Sequence, residues 1–217
     1  DTAEVGALKV ESARRAVARI NPHVNIETHP VRLTADNALE IISQYDIVAD
    51  GSDNFATRYL TSDACYLAKR TLVFAAVGPF DGYVTVFKPH LKNDQGEPWP
   101  SYRCIFPEAP PPGTVAPCSE IGVLGSVVGV IGTLQATEVI KEILGIGETL
   151  AGRLLIYDAL STRFETVKVS WDPENPLSGR NPTIRDLSHH KNAAGRLGSE
   201  AKVQTSSDDI HFVVERV

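Results

Sequence analysis

The sequence predicts an α/β fold with a doubly wound, mostly parallel sheet and antiparallel strands towards its C-terminal end. Short apolar runs at residues 46–50 and 71–77 are typical of strands buried in a parallel sheet. Between them, residues 55–69 place apolar side chains at helical spacing. Strands and helices therefore alternate along the chain, which is the pattern of a doubly wound sheet.

The first part of the chain supplies the parallel elements. Val10, Ala13, Val17 and Ile20 recur at helical spacing, and the Asn-Pro pair at 21–22 ends this helix. In order, the predicted elements are a helix over 10–20, a strand over 24–29, a helix over 36–45, a strand over 46–50, a helix over 55–69 and a strand over 71–77.

The second part begins with an alternating strand over 83–88 and ends with a hairpin over 153–171. The proline-rich residues 89–117 predict a long exposed loop. Residues 122–144 predict a long helix with glycines at 122, 125, 129 and 132. Each glycine costs a helix about 1 kcal/mol relative to alanine, so glycines repeated at helical spacing need a reason to be there. This glycine stripe therefore predicts that another part of the protein packs closely against the helix.

The composition changes after residue 171. Pro, Ser, Asn, Gly and His dominate up to about residue 205, which predicts a linker or a poorly ordered tail over 172–217. A short strand over 210–214 is expected near its end. Residues 1–171 are expected to form one domain.

The composition also limits the function. The net charge of -6 argues against wholesale nucleic-acid binding. Three cysteines are too few for a disulfide framework and suit a reducing cytosol, and the acidic, polar N-terminus is unlike a secretory signal. We therefore expect a cytoplasmic protein. The chain has no methionine and begins at Asp1, so we expect it to be a piece of a longer reading frame.

Candidate phosphate-binding residues lie where the strand over 46–50 ends. Ligands bind outside the carboxyl ends of strands in open α/β sheets, and Asp50, Asp53 and Asn54 follow such an end. Asp53 is either a Mg²⁺ ligand or simply the N-cap of the next helix. Lys9 begins the first helix, where it is either part of an anion site or a solvated surface lysine.

The cysteines and histidines offer further candidates. Cys118 precedes a helix start, where a thiol can be reactive, although it is equally a small residue tucked under a loop. Cys65 lies among apolar residues and is predicted to be core. His189 and His190 have no second ligand pair nearby in sequence, and we assign them to the polar tail.

Several segments, in order, resemble the MoeB/ThiF family, the molybdopterin-synthase and thiamine-biosynthesis adenylyltransferases, which are related to ubiquitin-activating enzymes. The resemblance runs from residue 1 to about residue 184 and implies a Rossmann-like fold. The matching segments are KVESAR at 9–14, INPH at 20–23, DGSDNFATR at 50–58, GPFDG at 78–82, YRC at 102–104, GVLG at 122–125 and VIGTLQATEVIK at 130–141.

The resemblance implies that ATP and Mg²⁺ activate the C-terminal glycine carboxylate of a ubiquitin-like sulfur-carrier protein as an acyl-adenylate. It implies that Lys9 contacts phosphate, that Asp53 is the catalytic, Mg²⁺-associated acid, and that Asn54 binds the nucleotide. Cys118 matches the reactive cysteine that takes part in sulfur transfer. The implied partners are the carrier protein and a second copy in a homodimer.

The chain departs from the family pattern in two places. Two Cys-x-x-Cys pairs typically bind a structural zinc, but the matching positions are Ser101, Cys104, Asn175 and Ser178, so no zinc site is expected. The family's glycine-rich, phosphate-binding turn does not precede Lys9. We therefore expect the N-terminal part of the same enzyme to be a further partner, without which the chain is inactive. The alternative is a non-catalytic interaction module.

Overall fold

The computed structural model describes residues 2–111, 122–191 and 212–213. Its strands are β1 (Ile47–Asp50), β2 (Thr71–Val77), β3 (Asp81–Phe87), β4 (Arg153–Asp158), β5 (Arg163–Lys168) and β6 (Phe212–Val213). Its helices are α1 (Lys9–Ile20), α2 (Ala38–Ile42), α3 (Phe55–Leu67), α4 (Tyr102–Ile105) and α5 (Gly125–Leu144), and a 3-10 turn covers Thr2–Glu4. The strands form one sheet in the order β5-β4-β3-β2-β1-β6.

The sheet is mixed. β1 and β2, joined through α3, run parallel, whereas β3, β4 and β5 each pair antiparallel with the strand before them. The turn between β2 and β3 spans only residues 78–80, which is too short for a crossover to a parallel strand. The α/β class and the C-terminal antiparallel strands are confirmed, while the parallel part of the described sheet is smaller than expected.

The sheet is covered on both faces. Leu72 and Phe74 of β2 join a core cluster with α3, whereas Val73 and Ala75 join a second cluster with α5. Because successive residues of a strand point to opposite faces, this alternation places one helix layer on each side of β2. Cys65 is in the α3 cluster and is 2% exposed, which confirms it as core.

The core extends beyond the boundary predicted after residue 171. Leu177 and Leu187 are fully buried, and the Trp171 indole Nε1 donates to the carbonyl of Ser178 at 3.0 Å. Residues 172–191 are thus packed against the domain. Near the strand predicted over 210–214, β6 pairs antiparallel with β1. Residues 192–211 and 214–217 lie outside the described part of the chain.

Three local predictions were wrong. The supposed loop over 89–117 contains α4, whose Tyr102 is 1% exposed and packs against Tyr59 and Phe74. Residues 24–29 do not form a strand. The glycine stripe does not mark close helix packing among the described residues. A side chain added at Gly125, Gly129 or Gly132 would touch none of them, because α5 buries its opposite face.

No helix in the described ranges combines the length and the apolar character needed to cross a membrane.

Candidate functional site

The candidate site is the loop that follows β1. Asp50 is the last residue of that strand, lies beside Phe74 of β2, and is buried. Its Oδ1 accepts a hydrogen bond from the amide of Ser52 at 2.8 Å, which turns the chain as soon as the strand ends. The loop therefore begins at a fixed point on the carboxyl edge of the parallel strands.

Arg58 holds the same loop from the α3 side. Its Nε donates to the carbonyl of Ser52 at 3.0 Å. The guanidinium lies 5.4 Å from the ring centroid of Phe55 and 5.8 Å from that of Phe74, within the range of cation–π contacts. Arg58 belongs to the motif at 50–58, but its role in holding the loop was not predicted from the sequence.

Asn54, and not Asp53, caps α3. The Asn54 backbone is extended, and its Oδ1 accepts a hydrogen bond from the amide of Thr57 at 2.9 Å. The interpretation of Asp53 as the cap is therefore wrong. Asp53 is exposed, and its Oδ1 lies 3.5 Å from the side-chain Nδ2 of Asn54, the next residue in the chain.

Residues from the second half of the chain meet the same edge of the sheet. The amides of Leu124 and Ala159 donate to the carbonyls of Pro79 and Phe80 at 3.1 and 2.8 Å, just beyond β2. A side chain at Gly78 would meet the carboxylate of Asp81, which would have to move aside. The turn GPFDG thus links β2 to the residues that lead into α5 and that follow β4.

Gln135 fastens α5 to the sheet. Its Nε2 donates to the carbonyls of Asp50 and Val73 at 2.9 and 3.0 Å. No role was predicted for Gln135 from the sequence. Its long polar side chain directly after the apolar run 123–134 could have marked it, but the sequence alone does not identify its hydrogen-bond partners. The loop that carries Asp53 is consequently held by β1, α3 and α5.

The other two predicted site residues, Lys9 and Cys118, are not part of the loop after β1. Lys9 is the first residue of α1 and is partly exposed. Cys118 falls outside the described residues.

The four positions expected to hold zinc in the family do come together, as a hydrogen-bonded cluster. The Asn175 Nδ2 lies 2.9 Å from the Ser101 Oγ and 3.2 Å from the Cys104 Sγ. The Asn175 Oδ1 accepts from the amides of Leu177 and Ser178 at 2.8 and 3.0 Å. One thiol, one amide and two hydroxyls do not match the thiolate and imidazole ligands of a structural zinc. The expectation of no zinc at these positions remains a prediction.

His189 and His190 are not part of a solvated tail. Both Nε2 atoms contact the carboxylate of Asp63, at 3.0 and 2.9 Å, and Asp63 is also paired with Arg103. Burial alone would raise the Asp63 pKa, but the hydrogen bonds from His189, His190 and Arg103 hold it well below its usual value.

Three curated relatives and a solved structure are similar to this chain. A sulfur carrier protein adenylyltransferase of Thermus thermophilus is 49% identical over 86% of this chain and 68% of its own length. A probable adenylyltransferase/sulfurtransferase, MoeZ, of Mycobacterium tuberculosis is 44% identical over 80% and 44% respectively. The SAMP-activating enzyme E1 of Haloferax volcanii is 42% identical over 88% and 68%.

The solved structure of E. coli MccB with ATP superposes with a TM-score of 0.65 at 14% identity, covering 80% of this chain and 52% of that one. At that identity the likeness establishes the fold alone. The chain spans about two thirds of the Thermus and Haloferax relatives and about half or less of the other two.

The family assignment rests on a match that covers most of the chain. The ThiF family matches residues 1–177, which include β1 to β5, the loop with Asp53 and all of the hydrogen-bonded cluster except Ser178. On this evidence the chain belongs to the ThiF family.

Proposed function

We propose that this protein, as part of the full-length enzyme, adenylylates the C-terminal glycine carboxylate of a ubiquitin-like sulfur-carrier protein. A carboxylate oxygen attacks the α-phosphorus of ATP and forms the acyl-phosphate bond. The bond from the α-phosphorus to the bridging oxygen of the β-phosphate breaks, and pyrophosphate leaves with that electron pair. The carrier, now an acyl-adenylate, is ready for attack by a sulfur nucleophile.

The observation that carries this proposal is the exposure of the Asp53 carboxylate on a fixed loop. Its carboxylate is exposed on a loop held by three elements, and the helix cap that would otherwise explain it is supplied by Asn54. Mg²⁺ in phosphoryl-transfer sites is bound by one or two carboxylates together with substrate phosphates. Asp53 fits this ligand type, and bound Mg²⁺ would offset the negative charge that develops on the phosphates.

The remaining residues have separate roles in the proposal. Lys9 adds positive charge at the start of α1, where it would contact a phosphate. Asn54 orients the loop and contacts the nucleotide. Cys118 acts after adenylation, as the nucleophile that forms an acyl or persulfide link during sulfur transfer.

The name of the Thermus relative supports a carrier partner, whereas the dimer and the N-terminal part rest on the family resemblance. We infer a carrier of the ubiquitin-like type, a second copy in a homodimer, and the N-terminal part of the same enzyme, working in the cytoplasm. The pathway is molybdopterin, thiamine or a related sulfur-transfer synthesis. The molar mass of the full-length enzyme in solution tests the dimer, and a monomer at micromolar concentration would contradict it.

Trapping the acyl-adenylate tests the activity. The full-length enzyme is incubated with ATP, Mg²⁺ and a carrier in the presence of hydroxylamine, which converts an acyl-adenylate into a hydroxamate at the carrier C-terminus and releases AMP. We expect the hydroxamate by mass spectrometry, and a carrier without its last glycine serves as the control. Stable binding of carriers without any hydroxamate would instead support a non-catalytic interaction module.

A further inference from the structure

We propose that Asp63, His189 and His190 form a zinc-binding site. Asp63 lies in α3 with no exposed surface, and the two histidines lie in a helical segment at residues 188–191. One donor atom from each of the three residues lies within 4.8 Å of the other two. The site is separate from the loop that carries Asp53.

Three nitrogen atoms surround one carboxylate oxygen of Asp63. The Asp63 Oδ2 is 3.0 Å from the His189 Nε2, 2.9 Å from the His190 Nε2 and 2.8 Å from the Arg103 Nη2. An ionised carboxylate offers about two lone-pair sites on each oxygen. Three nitrogen donors converge on an atom that can accept well from about two, so hydrogen bonding alone leaves one of them poorly satisfied.

A divalent cation between the three residues resolves this crowding. Each imidazole then uses a deprotonated Nε2 as a ligand, and Asp63 supplies an oxygen. Ligands of a tetrahedral zinc, at about 2.0–2.1 Å from the metal, lie about 3.3 Å from one another. The distances from the Asp63 Oδ2 to the two imidazole nitrogens, 3.0 and 2.9 Å, are slightly shorter, and those nitrogens lie within 4.8 Å of each other, so side-chain shifts would admit the ion.

The ligand types favour zinc over magnesium and calcium. Imidazole nitrogens suit zinc, copper, iron and nickel, whereas magnesium and calcium prefer oxygen. Zinc readily takes three protein ligands and a water. His189 keeps about a third of its side-chain surface exposed, so solvent reaches the site.

The neighbours of the site both position and limit it. Arg103 can keep its Nε on the Asp63 Oδ1, at 2.9 Å, while a cation takes the other oxygen. Its positive charge lowers the affinity for a cation relative to a site without it. Leu187, in the α3 core cluster, anchors the histidine segment on one side, and an exposed ion pair between Lys191 and Asp36 lies on the other.

This proposal changes one expectation from the sequence, which predicted no zinc anywhere and assigned both histidines to a polar tail. Asp63 precedes His189 by 126 residues, so only the fold brings the ligands together. A bound zinc would fasten the segment at 188–191 to α3.

The test is zinc binding by the full chain. We compare the unchanged protein with a His189→Gln/His190→Gln double variant by metal analysis after dialysis against micromolar zinc. Glutamine keeps an N–H donor that can reach Asp63, but it is a poor zinc ligand. We expect one zinc per chain in the unchanged protein. The double variant lacks two of the three ligands, so its zinc content should fall at least about tenfold, since losing even one outer-shell partner of a metal site costs about 10–100-fold in affinity.

Two further variants separate this site from others. His23→Ala removes an exposed histidine that is far in sequence from the three proposed ligands, and this variant should bind zinc normally. Cys104→Ser should also bind normally, because Cys104 is not a ligand here. The proposal is overturned if the unchanged protein binds no zinc, if the double glutamine variant keeps it, or if Cys104→Ser removes it.

Discussion

Asp53 and Asn54 are neighbours with different surroundings. The Asn54 side chain is committed to the first turn of α3, whereas the Asp53 carboxylate is exposed. The sequence placed both residues at the carboxyl end of a strand and offered Asp53 as either a Mg²⁺ ligand or the cap, although asparagine is favoured at a cap as well. The contact between the Asn54 Oδ1 and the Thr57 amide decides it.

Cys118 is predicted to be dispensable for adenylation and needed for sulfur transfer. Forming the acyl-adenylate depends on charge stabilisation and positioning, and no thiolate takes part. In the full-length enzyme, Cys118→Ser should therefore keep ATP–pyrophosphate exchange and lower the yield of carrier thiocarboxylate. A well-folded Cys118→Ser protein that no longer catalyses exchange would disprove this role, and Cys65→Ala controls for loss of a thiol that is buried in the core.

At the scale of single elements, the N-cap of α3 gives a direct stability prediction. Asn54→Ala removes the acceptor for the Thr57 amide and should lower the free energy of unfolding by about 1 kcal/mol. Asn54→Asp retains a capping oxygen and should change it little. Urea unfolding followed by circular dichroism measures both.

The matched change at the neighbouring residue is Asp53→Ala. Since its side chain is exposed and does not cap the helix, this substitution should leave the free energy of unfolding within about 0.5 kcal/mol of the unchanged protein. A loss equal to that of Asn54→Ala would mean that Asp53 shares the capping role.

The elements themselves were predictable to different degrees. The strand over 71–77 was predicted with its observed bounds, because a continuous apolar run can be recognised without knowing its partners. The strand expected over 24–29 did not form, since alternation alone does not provide a neighbouring strand. α4 was missed because it is a single turn of four residues inside a proline-rich segment.

At the scale of the whole molecule, the cluster around Asn175 joins α4 to the segment after β5. Asn175 is buried, and its amide contacts Ser101, Cys104, Leu177 and Ser178. Replacing it with alanine leaves the buried amides of Leu177 and Ser178 without these acceptors. Asn175→Ala should therefore lower the free energy of unfolding by about 2 kcal/mol.

A reverse substitution checks the same cluster. In a protein with Ser101→Cys, Asn175→Cys and Ser178→Cys, four thiols would occupy positions that already converge, and zinc should then stabilise the fold. Thermal unfolding with and without zinc measures this, and the site at Asp63 is removed beforehand by the His189→Gln/His190→Gln substitutions. No rise in the melting temperature would show that the four positions are too far apart to share an ion.

The sheet shows what the sequence could not decide. The apolar runs predicted strands in the right places, but their directions depend on connections: α3 allows β1 and β2 to run parallel, while three residues force β3 to return beside β2. The packing of residues after 171 could not be predicted from composition, because polar residues such as Asn175 are buried through hydrogen bonds that composition does not reveal.

The most direct test of the central claim is carrier-dependent ATP–pyrophosphate exchange by the full-length enzyme, with and without the Asp53 carboxylate. Asp53→Asn keeps the size of the side chain and removes its charge, and Asp94→Asn makes the same change at an exposed loop position away from the site. We predict exchange that requires the carrier, a loss of at least about 100-fold in Asp53→Asn, the scale seen when an electrostatic stabiliser is removed, and no loss in Asp94→Asn. Near-normal exchange by a folded Asp53→Asn protein would contradict the assignment of Asp53 as the catalytic, Mg²⁺-binding carboxylate.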